Sequence, residues 1–164
     1  EEALGVAVRG LDRGHLGPAR ATERLMAVNW NYLIRNPAFL GVRNTENRAK
    51  ARHLKRSTKV KSMHSPFVEM IGTVVRRGVE SGDFVVAVDP VQLYISIAGL
   101  CFFYLSNSAT LSVIFGRDLL KKEAKDERLD HIVALVLAAL TGKSAAAFGR
   151  GKTPKLRAPA RQPA

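Results

Sequence analysis

The chain has 164 residues, 46% of them hydrophobic and 7% aromatic, and a formal net charge of +12. That length makes one domain able to bury roughly 70% of its unfolded surface, and the composition is that of a globular, helix-rich protein. A lone cysteine, Cys101, excludes a disulfide framework. The start at Glu1-Glu2 has neither a basic region nor an apolar core, so no signal peptide is read there. A reducing, cytoplasmic setting is expected, and the missing initiator methionine suggests a piece of something longer.

The charge is local. Between Arg43 and Lys61 stand eight Lys/Arg against Glu46 alone, and Lys143 to Ala164 adds six more with no acid. The remainder holds 12 basic and 13 acidic residues, so the domain itself is close to neutral.

In chain order, Leu16-Gly17-Pro18 opens a helix with Ala21, Leu25, Val28 and Tyr32 on one face and Met26, Trp30 and Leu33 on an adjoining one. Asn36-Pro37 ends it and starts another, because proline disfavours helical geometry in the residue before it. That second helix is expected from about Pro37 to Lys50. A basic segment from His53 leads to Ser65-Pro66, which either kinks a long helix or begins a fresh one. Phe67, Met70, Ile71, Val74 and Gly78 follow as a helical stripe, and Gly82 is placed to stop it.

Val85, Val86 and Val88 are too short a run for a strand and are read as an extended connector. Asp89-Pro90 then caps a helix that carries no charge until Arg117. Twenty-seven uncharged residues would suffice to cross a bilayer. The strongly apolar part, Val91 to Leu105, is only fifteen residues, short of the ~20 a span needs, so burial by protein is expected and no membrane partner. Gly116 breaks the chain, and the last helix is read from near Asp118. It carries a wide stripe of Leu129, Ile132, Val133, Val136, Leu137 and Leu140 before Thr141-Gly142 ends it. The expected fold is therefore all-α, with about six helices. Residues 1–15 are read as an N-terminal remnant of a linker helix, 16–142 as the domain, and 143–164 as a basic disordered tail.

Chemistry for catalysis is missing from the pattern. His15, His53, His64 and His131 are scattered without metal-ligand spacing. No strand precedes a glycine-rich phosphate loop, and no Ser-His pair has a third orienting group. Neither an enzyme, a metal nor a cofactor is expected. The basic stretch 43–61 reads first as a solvated face. The alternative is a basic helical module contacting nucleic acid through phosphates, although no aromatic between Phe39 and Phe67 offers a stacking platform.

On a helical wheel Gln92, Ser96, Gly99, Phe103 and Asn107 share one small, partly polar face of the uncharged helix. Val91, Tyr94, Ala98, Cys101 and Leu105 share the greasier opposite one. One domain of this size can cover one such face. A partner subunit is expected on the other, together with Ile132, Val133, Val136, Leu137 and Leu140 of the last helix, which would make a dimeric four-helix interface. Aromatics on three helices suggest a ligand cavity. Its walls would be Met26, Trp30 and Leu33, then Phe67, Met70 and Ile71, then Tyr94, Cys101 and Tyr104, with the two phenols fixing a polar end of a small apolar ligand.

The stretches "HLGPARATERL", "NWNYLIRNPAFLGVRNTEN", "ARHLKRSTKVKSMHSPF", "RRGVESGDF", "VDPVQLYISIAGLCFFYLSNSATLSVIFGRDL" and "DHIVALVLAAL", in that order, resemble the C-terminal domain of TetR-family (tetracycline-repressor-like) regulators. The likeness covers about residues 11–142, and the Asp-Pro helix with Phe-Tyr-Leu-Ser-Asn is its most specific part. It implies a bacterial transcriptional regulator, most often a repressor, whose all-α sensor domain binds a small-molecule effector and pairs as a homodimer through its last two long helices. The family's N-terminal helix-turn-helix is not in this sequence, so operator DNA would be reached only through a domain absent from the chain.

Overall fold

The computed structural model describes residues 16–56 and 59–143, with only the backbone of 59–66. The linker remnant 1–15 and nearly all of the basic tail lie outside the described residues. Five α-helices and no strands occur among the described residues: α1 (Pro18–Arg35), α2 (Pro37–Arg48), α3 (Lys59–Glu80), α4 (Pro90–Phe115) and α5 (Lys122–Thr141), with a 3-10 turn at Leu54–Arg56 between α2 and α3. The fold is all-α.

Local chemistry sets most of the boundaries. Gly17-Pro18 opens α1, and Asn36-Pro37 separates it from α2. At α4 the Asp89 carboxylate accepts the Gln92 N–H at 2.9 Å, an N-cap worth about 1 kcal/mol, and Pro90 takes the first helical position. Gly116 (φ +58) and Gly142 (φ +64) end α4 and α5 in the left-handed conformation that costs glycine least. One boundary left open is decided, and one expected boundary moves. The backbone of α3 runs through Ser65-Pro66 without a break, so the proline lies inside a long helix. The last helix begins at Lys122, not near Asp118, because Asp118 to Lys121 is drawn into a turn whose Leu119 N–H donates to Ser112 Oγ at 3.0 Å.

Both α1 and α4 touch every other described helix. The core between them holds Ala21, Leu25, Met26, Trp30 and Leu33 of α1, Leu93, Ile97, Cys101 and Tyr104 of α4, and Ile132, Val136 and Leu140 of α5. Phe67, Ile71, Val74 and Val75 of α3 close it from the other side. Full burial of each large apolar side chain contributes about 1.5–3 kcal/mol. The Val85–Val88 connector is not a strand, but the Val85 N–H donates to the Leu140 carbonyl at 2.8 Å and satisfies an otherwise orphaned acceptor in the last turn of α5.

The basic segment is more structured than a plain solvated face. Lys50 (φ 52) and Ala51 (φ 59) take the left-handed region without glycine, a conformation costing roughly 1–2 kcal/mol per residue. A buried Glu46 holds the far side of this turn: its two carboxylate oxygens receive His53 Nδ1 at 2.5 Å and the Leu54 N–H at 3.2 Å. Desolvation pushes the Glu46 carboxyl up, but the His53 and Leu54 hydrogen bonds and the His53 charge outweigh it, leaving it below the ordinary carboxylate value. A depressed carboxyl stabilises the fold above its unfolded value and loses that contribution as pH falls through the folded one. Through Glu46, the turn should loosen as pH falls below the usual carboxylate range.

Phe84, 3% exposed, lies directly on Gly78, where an added Cβ would fall inside its ring. Gly78→Ala should cost about 1–3 kcal/mol by overpacking, read as a lowered urea midpoint. The same substitution in a Phe84→Leu background should cost less, and equal costs in both backgrounds would show that the Phe84 contact is not the cause.

Candidate functional site

The nine residues expected to form a ligand cavity do converge on the core. Met26, Trp30, Leu33, Phe67, Ile71, Cys101 and Tyr104 are buried, and Met70 and Tyr94 pack against them. They form two aromatic groups. Trp30 and Tyr104 meet between α1 and α4 with ring centroids 5.8 Å apart, and Phe67 and Tyr94 meet between α3 and α4 at 5.8 Å, edge to face. The expected joint role of the two phenols does not follow from this placement. Tyr94 and Tyr104 are ten residues apart on one helix, about 15 Å along its axis. The Tyr104 hydroxyl is also engaged, donating to the carbonyl of Leu119 at 2.9 Å with Ala124 O at 3.3 Å.

Around Tyr104 lies a polar group that the sequence reading missed. The Arg128 guanidinium of α5 stands 5.7 Å over the Tyr104 ring, and its Nη2 donates to the Leu100 carbonyl at 3.2 Å. Burial pushes the Cys101 thiol up to about 11, against the opposing pull of an Asn29 hydrogen bond and the Arg128 charge, so it stays a neutral thiol at physiological pH. Burial likewise raises the Tyr104 phenol and lowers Arg128; an arginine starts so high that it keeps its charge. A signal for this cluster was present. Arg128, Ile132, Val136 and Leu140 recur every four residues, which sets an arginine on the buried face of α5.

A groove of about 600 Å³ lies elsewhere, between α1 and α5. Ala27, Leu129, Val133 and Leu137 line it, with the carboxyl-bearing Glu23 and Asp130 among its walls.

The expected subunit interface divides differently on the two helices. On α4, Gln92, Ser96, Gly99 and Phe103 are exposed, Phe103 by 58%, and Asn107 is half-buried. A Cβ added to Gly99 meets nothing within 4 Å. On α5 the expected set needs correction. Ile132, Val136 and Leu140 are 0%, 6% and 1% exposed in the single chain, because they fill the core against α1 and α4. Val133 and Leu137 line the α1–α5 groove. The outward face of α5 carries Leu135 and Ala139 instead.

Within the basic stretch, Arg43 is partly drawn into the fold. Its guanidinium lies 5.1 Å from the Phe102 ring and 5.9 Å from that of Phe39, so it stacks α2 onto α4.

Tyr104→Phe removes the hydroxyl that ties α4 to the turn before α5 while keeping the ring on Trp30. It should lower stability by about 0.5–1.5 kcal/mol and leave Trp30 emission close to wild type. An unchanged unfolding midpoint would show that the hydrogen bonds to Leu119 and Ala124 contribute nothing.

Comparison with known proteins agrees with this architecture. A family described as tetracyclin repressor-like, C-terminal domain, matches residues 18–136. The chain is also 32% identical over 123 residues to the HTH-type transcriptional repressor NicS of Pseudomonas putida. That alignment covers 75% of this chain and 58% of the relative, so the chain spans a little over half of the relative's length. Helices α1, α2, α3 and α4 and most of α5 lie inside the matched family region, and the chain belongs to the tetracycline repressor-like C-terminal domain family.

Proposed function

We propose that the chain is the effector-sensing and dimerisation half of a bacterial transcriptional repressor, released from its operator when a small ligand binds in the helical core. Operator recognition would rest on a helix-turn-helix outside these 164 residues, and the protein would act in the cytoplasm. The family assignment and a relative named as a repressor support the regulatory class.

The observation that carries the dimerisation half is the outer face of α4. Val91, Ile95, Phe103, Val113 and Ile114 are 48%, 54%, 58%, 84% and 65% exposed on one helix, and an apolar surface of this kind marks an interaction site. The helix is long and apolar enough to cross a membrane. Its other face, however, carries Leu93, Ile97, Cys101 and Tyr104 in a close-packed protein core. Polar Gln92, Ser96 and Asn107 interrupt the outer face, and Gly99 leaves it low enough for a second helix backbone to approach. A second copy of α4, flanked by Leu135 and Ala139 of α5, fits that surface by two-fold symmetry. Nucleic-acid binding through residues 43–61 is not favoured, since the family match and the relative named as a repressor support the regulatory reading instead.

Sedimentation equilibrium should show a dimer at micromolar concentration. Gly99→Leu should leave the monomer's unfolding cooperative, because nothing occupies the space its side chain enters, yet weaken association by about tenfold or more through a clash of 1–3 kcal/mol. A stable wild-type monomer, or a Gly99→Leu dimer as tight as wild type, would remove the α4 interface.

A further inference from the structure

The groove between α1 and α5 is used neither by the helical core nor by the proposed subunit contact. It measures about 600 Å³, and Ala27 of α1 with Val133 and Leu137 of α5 give it an apolar floor. Val133 and Leu137 stand about 200° round the helix from Leu135 and Ala139, so a partner on that outer face leaves the groove open. Two carboxylates border it, the half-buried Glu23 and the exposed Asp130. Among the described residues neither belongs to an ion pair. In a chain of net charge +12, an apolar groove edged by two unpaired acids suits a basic segment with apolar side chains between its charges.

We propose that the occupant is the chain's own C-terminal segment, residues 144–152, with Phe148 on Ala27 and Val133 and Arg150 at Asp130. Gly142 (φ +64) turns the chain off the α5 axis, and Lys143, the next residue, already lines the groove. The chain therefore leaves α5 at one end of the groove, with Asp130 towards the other. Along the axis Val133 lies about 12 Å and Asp130 about 17 Å from Thr141. From Lys143 an extended chain reaches at most ~18 Å by Phe148 and ~25 Å by Arg150, so both arrive with slack for a curved path. The order of residues matches as well. Ala145, Ala146 and Ala147 have little bulk, Phe148 is the single aromatic beyond Lys143, and Arg150 and Lys152 follow it. Five Lys/Arg and no acid stand between Ser144 and Ala164. Residues 1–15 fit worse, because Glu1, Glu2 and Asp12 outnumber Arg9 and Arg13 and would bring acids to an acidic border. By itself the C-terminal segment has too little apolar surface to fold. The groove supplies the surface that it lacks, and burial of the Phe148 ring adds to ion pairs that would be weak alone.

Trypsin digestion of the full chain tests the contact, with a synthetic peptide of residues 143–164 as the reference for each bond. At low salt the Arg150–Gly151 bond should be cut about tenfold or more slowly than in the peptide, since cleavage follows the undocked population. The Arg161–Gln162 bond, beyond the docked part, should be cut at the peptide's rate. Phe148→Ser and the paired change Glu23→Gln with Asp130→Asn should each remove most of the protection. Salt at about 1 M, where screening acts within ~3 Å, should weaken it in the unaltered chain. Equal rates in protein and peptide, or protection indifferent to all three changes, would overturn the docking. A cysteine pair then shows whose segment is bound: Ala134→Cys with Ala147→Cys should oxidise to a disulfide within one chain, the buried Cys101 staying apart. A disulfide formed only between chains would give the groove to the segment of a second copy. That result, or no disulfide at all, would overturn docking within the chain.

Discussion

The crossing of α1 over α4 at Trp30 and Tyr104 is the contact on which the other helices depend. Trp30 packs on the Tyr104 ring between the two helices, and the Tyr104 hydroxyl donates to Leu119 and Ala124. One side chain thereby joins α1, α4, the turn after α4 and the first residues of α5. Since α1 and α4 each touch all the other described helices, a displacement at this crossing has no soft layer in which to dissipate. Protein interiors packed at crystal-like density transmit such strain. The single contact therefore governs both where α5 starts and how it lies on α4.

What the sequence made legible was governed by short-range chemistry. Asp89-Pro90 announced its helix because an N-cap and a proline act within one turn, and the Asp89 to Gln92 bond confirms that start. Asn36-Pro37, Gly116 and Gly142 likewise marked ends through backbone preferences of the residues themselves. The misjudged features depend on partners seven or more residues away, beyond the reach of a single helical turn. Leu119 is held in a turn by Ser112 and Tyr104, which a local reading of Asp118 as a helix start could not anticipate. Lys50 and Ala51 adopt positive φ without a glycine to signal it, in a turn spanned by Glu46, His53 and Leu54.

The candidate site was legible in membership and not in arrangement. Helical spacing placed the aromatic and apolar side chains of α1, α3 and α4 in one core, as found. It did not say which face of α5 turns inward, because its stripe of Leu129 to Leu140 is wide enough to serve a core, a groove and a partner at once. The core takes Ile132, Val136 and Leu140, and the groove takes Leu129, Val133 and Leu137. Arg128 went unnoticed for a related reason: a charged residue beside a charged turn reads as solvated, and only the packing of α4 onto its guanidinium shows otherwise.

The two faces of α4 give the proposed regulation its physical basis. A helix apolar on all sides within a single domain can bury one side only, so one rigid element carries the proposed sensor core on Cys101 and Tyr104 and the proposed subunit contact on Gly99 and Phe103. Along the helix these positions interleave over about one and a half turns. A ligand that moves the inner positions cannot leave the outer ones in place, and no relay through loops is needed. The requirement falls on affinity instead. Reversing a 1:99 population to 99:1 takes about 5.5 kcal/mol of differential binding between the two arrangements. A ligand has to gain contacts in one arrangement of α4 and α5 that it lacks in the other, and that asymmetry is what converts binding into a change of shape.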